Sequence, residues 1–321
     1  MVIVITTSAY VYKHKHIYSI ISHDQIMSSQ MIKIAKAVNS NGTAPKKIAL
    51  TRFLPKAIEA LTQNNCDVLY FDSVEEKIPY NTLEDLVGAG VDGIFCLLTD
   101  TIDKNIINKS GTNLKVVSTL SVGYDHLDVP ACTAKSVRVG NTPRVLDVAT
   151  AEIAISLVFN CKRKIIEASQ EVPSGRWGTW SPFEYCGTEV SNSIVGIVGL
   201  GNIGFTFGKM LSGFNCEILY TGPREKKELG DQINAKYVSF EELCKQSDII
   251  SVHCPLNEDT KNLFNKNAFD LMKKSAVLIN TSRGPVVNQE DLYDVLKNKK
   301  IFGAGLDVTS PVSTPLVYSP Q

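Results

Sequence analysis

Short apolar segments and amphipathic segments alternate along this chain, and this alternation is the feature that most restricts its fold. The apolar segments include "KKIAL", "DVLYF" and "GIFCLL" before residue 100, and "IVGIVG", "DIISVHC" and "AVLIN" after residue 190. Continuous apolar strands separated by helical segments are typical of a parallel sheet that helices cover on both faces. The sequence therefore predicts an α/β fold with two doubly wound parallel-sheet domains.

A longer helical pattern joins the two predicted sheets. From Asp147 to Ala168, apolar residues recur at helical spacing. We predict one domain over residues 46–146 and a second over residues 147–311, which begins with this helix and its following loop. The second pattern stops on the strand "IFGAGLDV", so we expect that domain to be incomplete at its C-terminal side, with a divergent tail over residues 312–321.

The charge balance argues against several kinds of partner. The chain has 33 basic and 33 acidic residues, so its formal net charge is zero. Such a balance does not favour a nucleic-acid or membrane-surface partner. The eight cysteines include no C-x-x-C pair, which argues against a metal site and favours a reducing compartment such as the cytoplasm.

The first 45 residues differ in character from the rest. Residues 1–47 hold six lysines and one acid, without the sustained periodicity of the later segments. We expect residues 1–45 to be a disordered extension outside the fold. A mitochondrial targeting segment is the alternative, although the segment lacks the arginines that such signals usually contain.

A glycine motif indicates where a nucleotide would bind. Gly199, Gly201 and Gly204 form a G-x-G-x-x-G that directly follows an apolar strand and opens a helix. In this context the motif predicts a dinucleotide site, with the phosphates at the N-terminus of the helix. Isolated glycines in an ordinary turn are the alternative, and the strand-turn-helix context argues against it.

The next strand suggests which dinucleotide is preferred. Proteins that bind NAD usually carry an acid at the tip of this strand, about 20 residues after the glycines. Here the segment reads "LYTGPRE", with Thr221 at the tip and Arg224 close behind it. We therefore predict that NADP(H) is preferred and that NAD(H) remains possible; a solvated Arg224 without such a role is the alternative.

Two further strand tips carry candidate substrate groups. Arg283 lies in "NTSRGPVVN", where its guanidinium can bind a small carboxylate in a bidentate manner. Val122 and Gly123 lie in "STLSVGYDHLD", where backbone N–H groups can face an anion. His126 and His253 are interpreted as structural residues, since a lone histidine is more often a hydrogen-bonded structural group than a catalyst.

These motifs together identify a family. "GIVGLGNIG", "LINTSRGPVVNQEDLYDVL", "GAGLDVTSP" and "STLSVGYDHLD" resemble the D-2-hydroxyacid dehydrogenases, and most closely the glyoxylate and hydroxypyruvate reductases among them. The resemblance implies two Rossmann-like domains, a homodimer, and NADPH-dependent reduction of a small 2-oxoacid such as glyoxylate or hydroxypyruvate.

The resemblance also implies roles for particular residues. Val122, Gly123 and Arg283 would bind the substrate carboxylate, and Arg283 would also polarise the ketone. Trp180, in "WGTWSPFEYCG", would reach the substrate site of the partner subunit. The cofactor would be lined by the glycine motif and by Asn202, Ile203, Thr221, Arg224, Pro255, Thr281 and Asp307.

The sequence departs from the family pattern after Pro311. The pattern continues with Glu-Pro-Leu and then with a strand that ends in Pro-His-Ile-Gly-Ser, whose histidine donates a proton to the substrate. Val312 stands at the position of the Glu, and the histidine segment is missing. We therefore expect reduction to be impaired in this chain. A non-catalytic NADP(H)-binding protein of the same fold is the alternative; a methyltransferase with a similar glycine loop is disfavoured by "TSRGPVV".

Overall fold

The chain divides into two units, and each has its own sheet. A computed structural model describes residues 2–5, 31–38 and 42–310. Within this part of the chain, one unit comprises residues 31–145 and the other comprises residues 2–5 and 146–310. We call them the 31–145 unit and the 146–310 unit. The division after Val145 lies one residue before the boundary predicted from the sequence. The predicted tail over residues 312–321, with Val312, lies outside the described residues.

Strands and helices alternate along the chain from residue 46 onward. The strands are β1 (Val2–Ile5), β2 (Ile32–Ala35), β3 (Lys46–Leu50), β4 (Cys66–Phe71), β5 (Gly93–Cys96), β6 (Val116–Thr119), β7 (Arg138–Gly140), β8 (Ile194–Val198), β9 (Glu217–Thr221), β10 (Ala235–Tyr237), β11 (Ile249–Val252), β12 (Val277–Asn280) and β13 (Gly303–Leu306). The α-helices are α1 (Pro55–Gln63), α2 (Tyr80–Gly88), α3 (Lys104–Lys109), α4 (Val129–Ala134), α5 (Asp147–Arg163), α6 (Ile165–Glu171), α7 (Asn202–Leu211), α8 (Lys227–Gln232), α9 (Phe240–Gln246), α10 (Lys266–Leu271) and α11 (Gln289–Lys297).

The 31–145 unit is built on a six-stranded sheet in the order β2-β4-β3-β5-β6-β7. All neighbouring strands pair in parallel except β2, which pairs antiparallel with β4. Apolar residues of α2, α3 and α4 pack with Ala49, Ile94 and Val117 on one face, and α1 packs with Leu50 and Val68 on the other. Helices on both faces explain why these strands are continuous apolar runs.

The 146–310 unit is built on a seven-stranded parallel sheet in the order β1-β13-β12-β11-β8-β9-β10. The chain runs outward from β8 through β9 to β10 and then returns to β11 on the other side of β8. Residues of α5 and α7 cover one face, and residues of α9, α10 and α11 cover the other. The prediction of a doubly wound fold is confirmed, and the reversal beside β8 is the place where such sheets bind ligands.

The long helical pattern after residue 146 forms two helices instead of one. The prediction treated Asp147 to Ala168 as a continuous helix, but α5 ends at Arg163 and α6 begins at Ile165. Between them, Lys164 adopts a left-handed conformation with φ +52°. A left-handed residue ends the α-helical hydrogen-bond pattern, and lysine is not a residue that signals such an end in a sequence. The helix α5 belongs to the core of the 146–310 unit, where Ala151, Leu157 and Cys161 are buried.

The prediction that residues 1–45 lie outside the fold is wrong for two segments. Residues 2–5 form β1, which pairs in parallel with β13 from Val2 opposite Gly303 to Ile5 opposite Leu306. Residues 32–35 form β2 on the edge of the other sheet. "VIVI" and "IKIA" are short runs rich in β-branched residues that suit a strand, and the basic composition of the whole segment obscured them. The sheet of the 146–310 unit therefore continues beyond β13. The rest of this segment, residues 6–30 and 39–41, lies outside the described residues.

The pairing of β1 can be tested with two proline substitutions. In an edge strand, alternate N–H groups face the neighbouring strand, so only one of Ile3→Pro and Val4→Pro removes a bond to β13. We expect that variant to lose about 1–3 kcal/mol of stability, and the other variant to lose much less. Thermal unfolding followed by circular dichroism measures the difference. Two equally stable variants, together with rapid hydrogen exchange at residues 2–5, would contradict the pairing.

Candidate active site

The glycine loop after β8 turns sharply against the end of β11. Gly199 has φ +98°, and a Cβ at this position would lie 2.7 Å from the backbone nitrogen of Cys254. Its own N–H donates to the carbonyl oxygen of Thr221 at 3.0 Å, which ties the turn to the end of β9. Positive φ and the close approach of another backbone both demand glycine here.

The other two glycines of the motif face different surroundings. A Cβ on Gly204 would overlap the carbonyl oxygen of Gly199 and lie 3.0 Å from Ile197 Cγ2, so this glycine lets α7 pack directly on β8. A Cβ on Gly201 would meet no atom within 4 Å. Gly201 is the N-cap of α7 and has no side chain to accept from the N–H groups of the first helical turn. The N-terminus of α7, with Asn202 and Ile203, therefore presents donors at an open surface that suits a phosphate.

The tip of β9 carries no acid. Thr221 ends the strand and is buried, and Gly222 follows it. The Tyr237 hydroxyl donates to the carbonyl oxygen of Gly222 at 2.9 Å and so fixes the start of the next loop. Arg224 is exposed in that loop. No carboxylate therefore lies at the end of β9 to repel a 2′-phosphate, which is the group that the predicted NADP(H) preference requires.

The turn that carries Arg283 is held by the amide of Asn280, the last residue of β12. Asn280 is fully buried; its Nδ2 donates to the carbonyl oxygen of Arg283 at 2.9 Å, and its Oδ1 accepts from the Ser282 N–H at 3.0 Å. The half-buried Arg283 donates from Nη1 to the Ser282 carbonyl oxygen at 3.0 Å. The guanidinium is thus placed by a rigid turn at the end of a central strand.

Thr281 in the same turn has an unsatisfied hydroxyl. Its side chain is buried, and its Oγ1 has no hydrogen-bond partner among the described residues. A buried polar atom without a partner is costly, so it usually marks a place where a ligand or water completes the site. This hydroxyl lies at the carboxyl end of β12, on the edge of the sheet where the glycine loop also lies.

Two more predicted cofactor residues follow strands of the same sheet. Pro255 is exposed three residues beyond β11, and Asp307 is half-buried directly after β13. The Asp307 N–H donates to the carbonyl oxygen of Asn280 at 2.9 Å. The structure therefore brings the glycine motif, Thr221, Pro255, Thr281, Arg283 and Asp307 to one edge of the sheet, as the carboxyl ends of parallel strands require.

His253, just after β11, is a structural residue. Its Nε2 lies 2.9 Å from Ser251 Oγ, and its ring packs against Phe207 with the ring centres 5.1 Å apart. Burial lowers the pKa of His253 to about 3. The imidazole is therefore neutral at physiological pH, and it cannot serve as a protonated acid there.

Val122 and Gly123 lie in the 31–145 unit, in the loop after β6. Both residues are half-buried. Among the described residues, neither N–H donates a hydrogen bond. Asn141 Nδ2 donates to the carbonyl oxygen of Val122 at 2.8 Å. This loop can therefore offer two adjacent N–H groups to an anion. The role of Asn141 was missed in the sequence because it comes from a position 19 residues away.

Trp180 lies in an ordered loop between α6 and β8 whose apolar side chains face outward. Trp180 is 83% exposed and Phe183 is 89% exposed. Arg176 Nε and Nη2 each lie 2.7 Å from a carboxylate oxygen of Glu171, and Trp177 stacks on Tyr185. The loop thus has internal contacts that fix its shape while its largest apolar side chains remain uncovered within the chain.

The described residues contain neither a candidate membrane span nor a candidate metal cluster. No helix there is long and apolar enough to cross a membrane. No group of three or more His, Cys, Asp or Glu side chains there is arranged to hold a metal ion.

Comparisons with known proteins agree with this geometry. The sequence model of the D-isomer specific 2-hydroxyacid dehydrogenase NAD-binding domain matches residues 155–318. A human protein named glyoxylate reductase/hydroxypyruvate reductase is 45% identical over 272 residues, which are 84% of this chain and 82% of the human one. The chain belongs to the D-isomer specific 2-hydroxyacid dehydrogenase family.

Solved structures of this family's fold match most of the chain. The TT0316 protein from Thermus thermophilus has a TM-score of 0.76 and 32% identity, with 84% of each chain covered. An acyclic imino acid reductase, Bsp5, solved with NADPH and D-Arg, has a TM-score of 0.72 and 29% identity over 82% of this chain and 83% of its own. The 146–310 unit is thus a Rossmann NAD-binding domain, and the dehydrogenase family to which the chain belongs consists of oxidoreductases.

Two glycine substitutions separate packing from cofactor binding. Gly204→Ala forces a Cβ into the Gly199 carbonyl, so we expect a loss of roughly 1–3 kcal/mol of stability. Gly201→Ala places its Cβ in open space, so we expect a nearly unchanged melting temperature but at least about tenfold weaker dinucleotide binding, because the methyl group obstructs the phosphates. Thermal unfolding and cofactor fluorescence titration measure both effects. A Gly201→Ala variant that binds the cofactor normally would show that the phosphates lie elsewhere.

Proposed function

We propose that this chain reduces a small 2-oxoacid, glyoxylate or hydroxypyruvate, to the corresponding 2-hydroxyacid with NADPH. The observation that carries the proposal is the Arg283 turn, which holds a guanidinium at the same sheet edge as the glycine loop. A fixed guanidinium suits a carboxylate. The name of the human relative supports this choice of substrate.

The cofactor is proposed to lie along the carboxyl edge of the 146–310 sheet. The N–H groups of Asn202 and Ile203 at the start of α7 would hold the pyrophosphate. The buried Thr281 hydroxyl would gain the hydrogen-bond partner that it lacks among the described residues. Thr221, Pro255 and Asp307 follow strands of this edge and are proposed to line the rest of the site.

Val122, Gly123 and Arg283 are proposed to bind the negatively charged carboxylate of the substrate. Val122 and Gly123 bind the carboxylate through their N–H groups, and Arg283 binds it and polarises the carbonyl. When bound, the reduced nicotinamide supplies a hydride, which forms the new C–H bond as the C=O π bond breaks. The carbonyl oxygen then takes a proton, so the reaction consumes one 2-oxoacid, one NADPH and one proton.

Turnover is proposed to be slow because the histidine of the described 146–310 unit is not available as an imidazolium donor to the carbonyl oxygen. A positioned acid usually contributes about 10²–10⁴-fold to such a step. His253 is the histidine of the described 146–310 unit, and it is neutral and engaged with Ser251. Val312, which occupies the position of the family's glutamate, lies outside the described residues. Arg283 and the amides still orient the substrate, which by itself sustains a slow reaction.

Chemical rescue with imidazole tests both the proposed reaction and the proposed shortage of a proton donor for the carbonyl oxygen. We expect glyoxylate to cause slow NADPH oxidation, and imidazole buffer to raise kcat in proportion to the imidazolium concentration. Sodium chloride at matched ionic strength serves as the control and should give no increase. Arg283→Gln should abolish the reaction with and without imidazole. Rapid NADPH oxidation that does not respond to imidazole would show that a proton donor is already in place, and the absence of any oxidation in imidazole would contradict the proposed reaction.

We also propose that NADPH is preferred over NADH. The tip of β9 carries no carboxylate to accept a ribose 2′-OH, and the exposed Arg224 can bind a 2′-phosphate. A charge-assisted hydrogen bond of this type is worth about 1.5–3 kcal/mol.

Arg224→Ala should therefore lower the affinity for NADPH by roughly tenfold or more and leave the affinity for NADH unchanged. Lys209→Ala, which removes an exposed cation from the last turn of α7, is the matched control. Fluorescence titration with both dinucleotides measures the ratio. Equal affinities of the unmodified chain for NADPH and NADH would contradict the preference.

A homodimer is proposed from the loop that carries Trp180. Val172, Trp177, Trp180 and Phe183 are each more than half exposed, and such apolar clusters usually mark a protein interface. The second copy of the chain is the proposed partner, with Trp180 directed to the partner's substrate site. Light scattering should give the mass of a dimer, and the double variant Trp180→Ser, Phe183→Ser should shift the mass to that of a monomer. A monomeric unmodified chain would contradict the proposal.

A cytoplasmic location is proposed from the state of the cysteines. All eight are free thiols, which is usual in a reducing compartment. Imaging of a tagged full-length chain tests this location, and accumulation in mitochondria would contradict it.

A further inference from the structure

Three consecutive carbonyl groups in the loop after β6 are each held by a hydrogen-bond donor. The carbonyl oxygen of Ser121 accepts from the Thr142 N–H at 2.9 Å. That of Val122 accepts from Asn141 Nδ2 at 2.8 Å, and that of Gly123 accepts from Ser121 Oγ at 2.6 Å. Three successive peptide groups of this loop are therefore each held in place.

Holding a carbonyl also sets the direction of the next N–H. In a planar trans peptide, the C=O of one residue and the N–H of the following residue point in opposite directions. The bond from Thr142 therefore turns the Val122 N–H away from Thr142, and the bond from Asn141 turns the Gly123 N–H away from Asn141. The directions of the two N–H groups that are proposed to bind the carboxylate are thus set by the Thr142 N–H and by the Asn141 side chain.

Thr119, Ser121 and His126 form a hydrogen-bond relay that ends at the Gly123 carbonyl, and its donors and acceptors can be assigned in only one way. Thr119 Oγ1 lies 2.9 Å from Ser121 Oγ and 2.9 Å from His126 Nε2. The Gly123 carbonyl can only accept, so Ser121 uses its single hydroxyl proton there. Ser121 must then accept from Thr119, and Thr119 must accept from His126. His126 therefore carries a proton on Nε2.

This relay is shielded from water along most of its length. Thr119 is fully buried and Ser121 is 4% exposed, so water cannot readily replace a lost hydroxyl. Asn141, in contrast, is exposed, and water competes for its bond to Val122. The buried members of the relay should therefore influence the loop more than Asn141 does.

The Ser121 bond to the Gly123 carbonyl holds the next peptide group, whose N–H belongs to Tyr124. We infer that Asn141 on one side, and Ser121, Thr119 and His126 on the other, are positioning residues that hold the peptide groups flanking Gly123, and so fix the loop whose Val122 and Gly123 N–H groups bind the substrate carboxylate. The inference rests on the proposed function, because it assigns these residues to the same substrate. It adds that His126 acts through its Nε2–H as a donor at the end of a relay, and that it does not contact the substrate.

The protonation of His126 can be measured without any activity. A two-bond ¹H–¹⁵N spectrum of the imidazole rings, with the His126 signals assigned by their loss in His126→Gln, reports which nitrogen is protonated. We expect a proton on Nε2. A neutral ring protonated on Nδ1 alone would reverse the relay and overturn the inference, whatever the chain catalyses.

Kinetics then test the positioning role. Ser121→Ala and His126→Leu should raise the KM for glyoxylate about tenfold, because the peptide group after Gly123 is released and the loosened loop holds its carboxylate-binding N–H groups less well, with kcat within about twofold and unchanged NADPH affinity. Asn141→Ala should raise KM by a smaller factor, and His126→Gln, which can still donate from Nε2, should restore most of the loss. The matched control is Ser110→Ala, which removes another buried hydroxyl of this unit that donates to a backbone carbonyl, that of Ile106 at 2.8 Å.

The outcomes separate this inference from the proposed function. If the unmodified chain reduces glyoxylate and Arg283→Gln does not, but Ser121→Ala and His126→Leu keep the original KM, the positioning role is wrong and the function stands. A rise in KM that is equal in Ser110→Ala would also overturn the role, since it would reflect general destabilisation. If the unmodified chain does not reduce glyoxylate, the proposed function fails. The ¹H–¹⁵N spectrum of the histidine rings then decides by itself whether His126 donates from Nε2 to Thr119.

Discussion

The close contact between the glycine loop and the end of β11 is the constraint on which the 146–310 unit depends. Gly199 is pressed against the backbone of Cys254 and is bonded to Thr221, so the ends of β8, β9 and β11 converge on one residue without a side chain. Gly204 then lets α7 lie directly on that turn. Any side chain at these two positions would push apart the elements whose ends form the site. Gly199 and Gly204 therefore affect both the stability of the unit and the shape of the cofactor site.

The same close packing extends along β8. A Cβ on Gly196 would lie 2.6 Å from Leu243 Cδ2 of α9, and a Cβ on Gly208 of α7 would lie 3.0 Å from Ile197 Cδ1 of β8. Helices thus approach the central strand closely from both faces, and glycine at these two positions spares the neighbouring side chains a displacement. This arrangement explains why the motif alone is a weak indicator and why its position after a buried strand is decisive: the glycines serve the packing of a parallel sheet as well as the phosphates.

Much of the fold could be predicted because its signals are local. The apolar runs from β3 to β13 and the amphipathic segments between them indicated a doubly wound fold, and the family resemblance is confirmed by the human relative and the solved structures. The break at Lys164 and the short, polar helix α8 could not be predicted, since neither carries a residue typical of a helix end or an apolar stripe. The strand β1 was missed because its partner is β13, at the other end of the sequence.

In the site, too, the features that depend on neighbouring residues in the sequence could be predicted, and those that depend on distant residues could not. Strand tips located the candidate groups, and their order along the sheet follows from parallel topology. The orphaned hydroxyl of Thr281 and the amide of Asn141 behind Val122 depend on side-chain directions and on partners far along the chain, which no pattern of residue types encodes. The roles of the individual site residues therefore stay predictions, whereas the family and the fold are established.

The strand β1 also has a consequence for how the chain folds as it is made. Val2 pairs with Gly303, so β1 meets its neighbour only after about 300 more residues have been added to the growing chain. At roughly 5–20 residues per second, that delay is on the order of 15–60 s. The 31–145 unit has all its described strands by residue 140 and can form during this interval. An apolar "VIVI" segment that waits so long without its partner is exposed to chaperones and to other nascent chains, and among the described strands the pair of β1 and β13 is the last to be completed by synthesis.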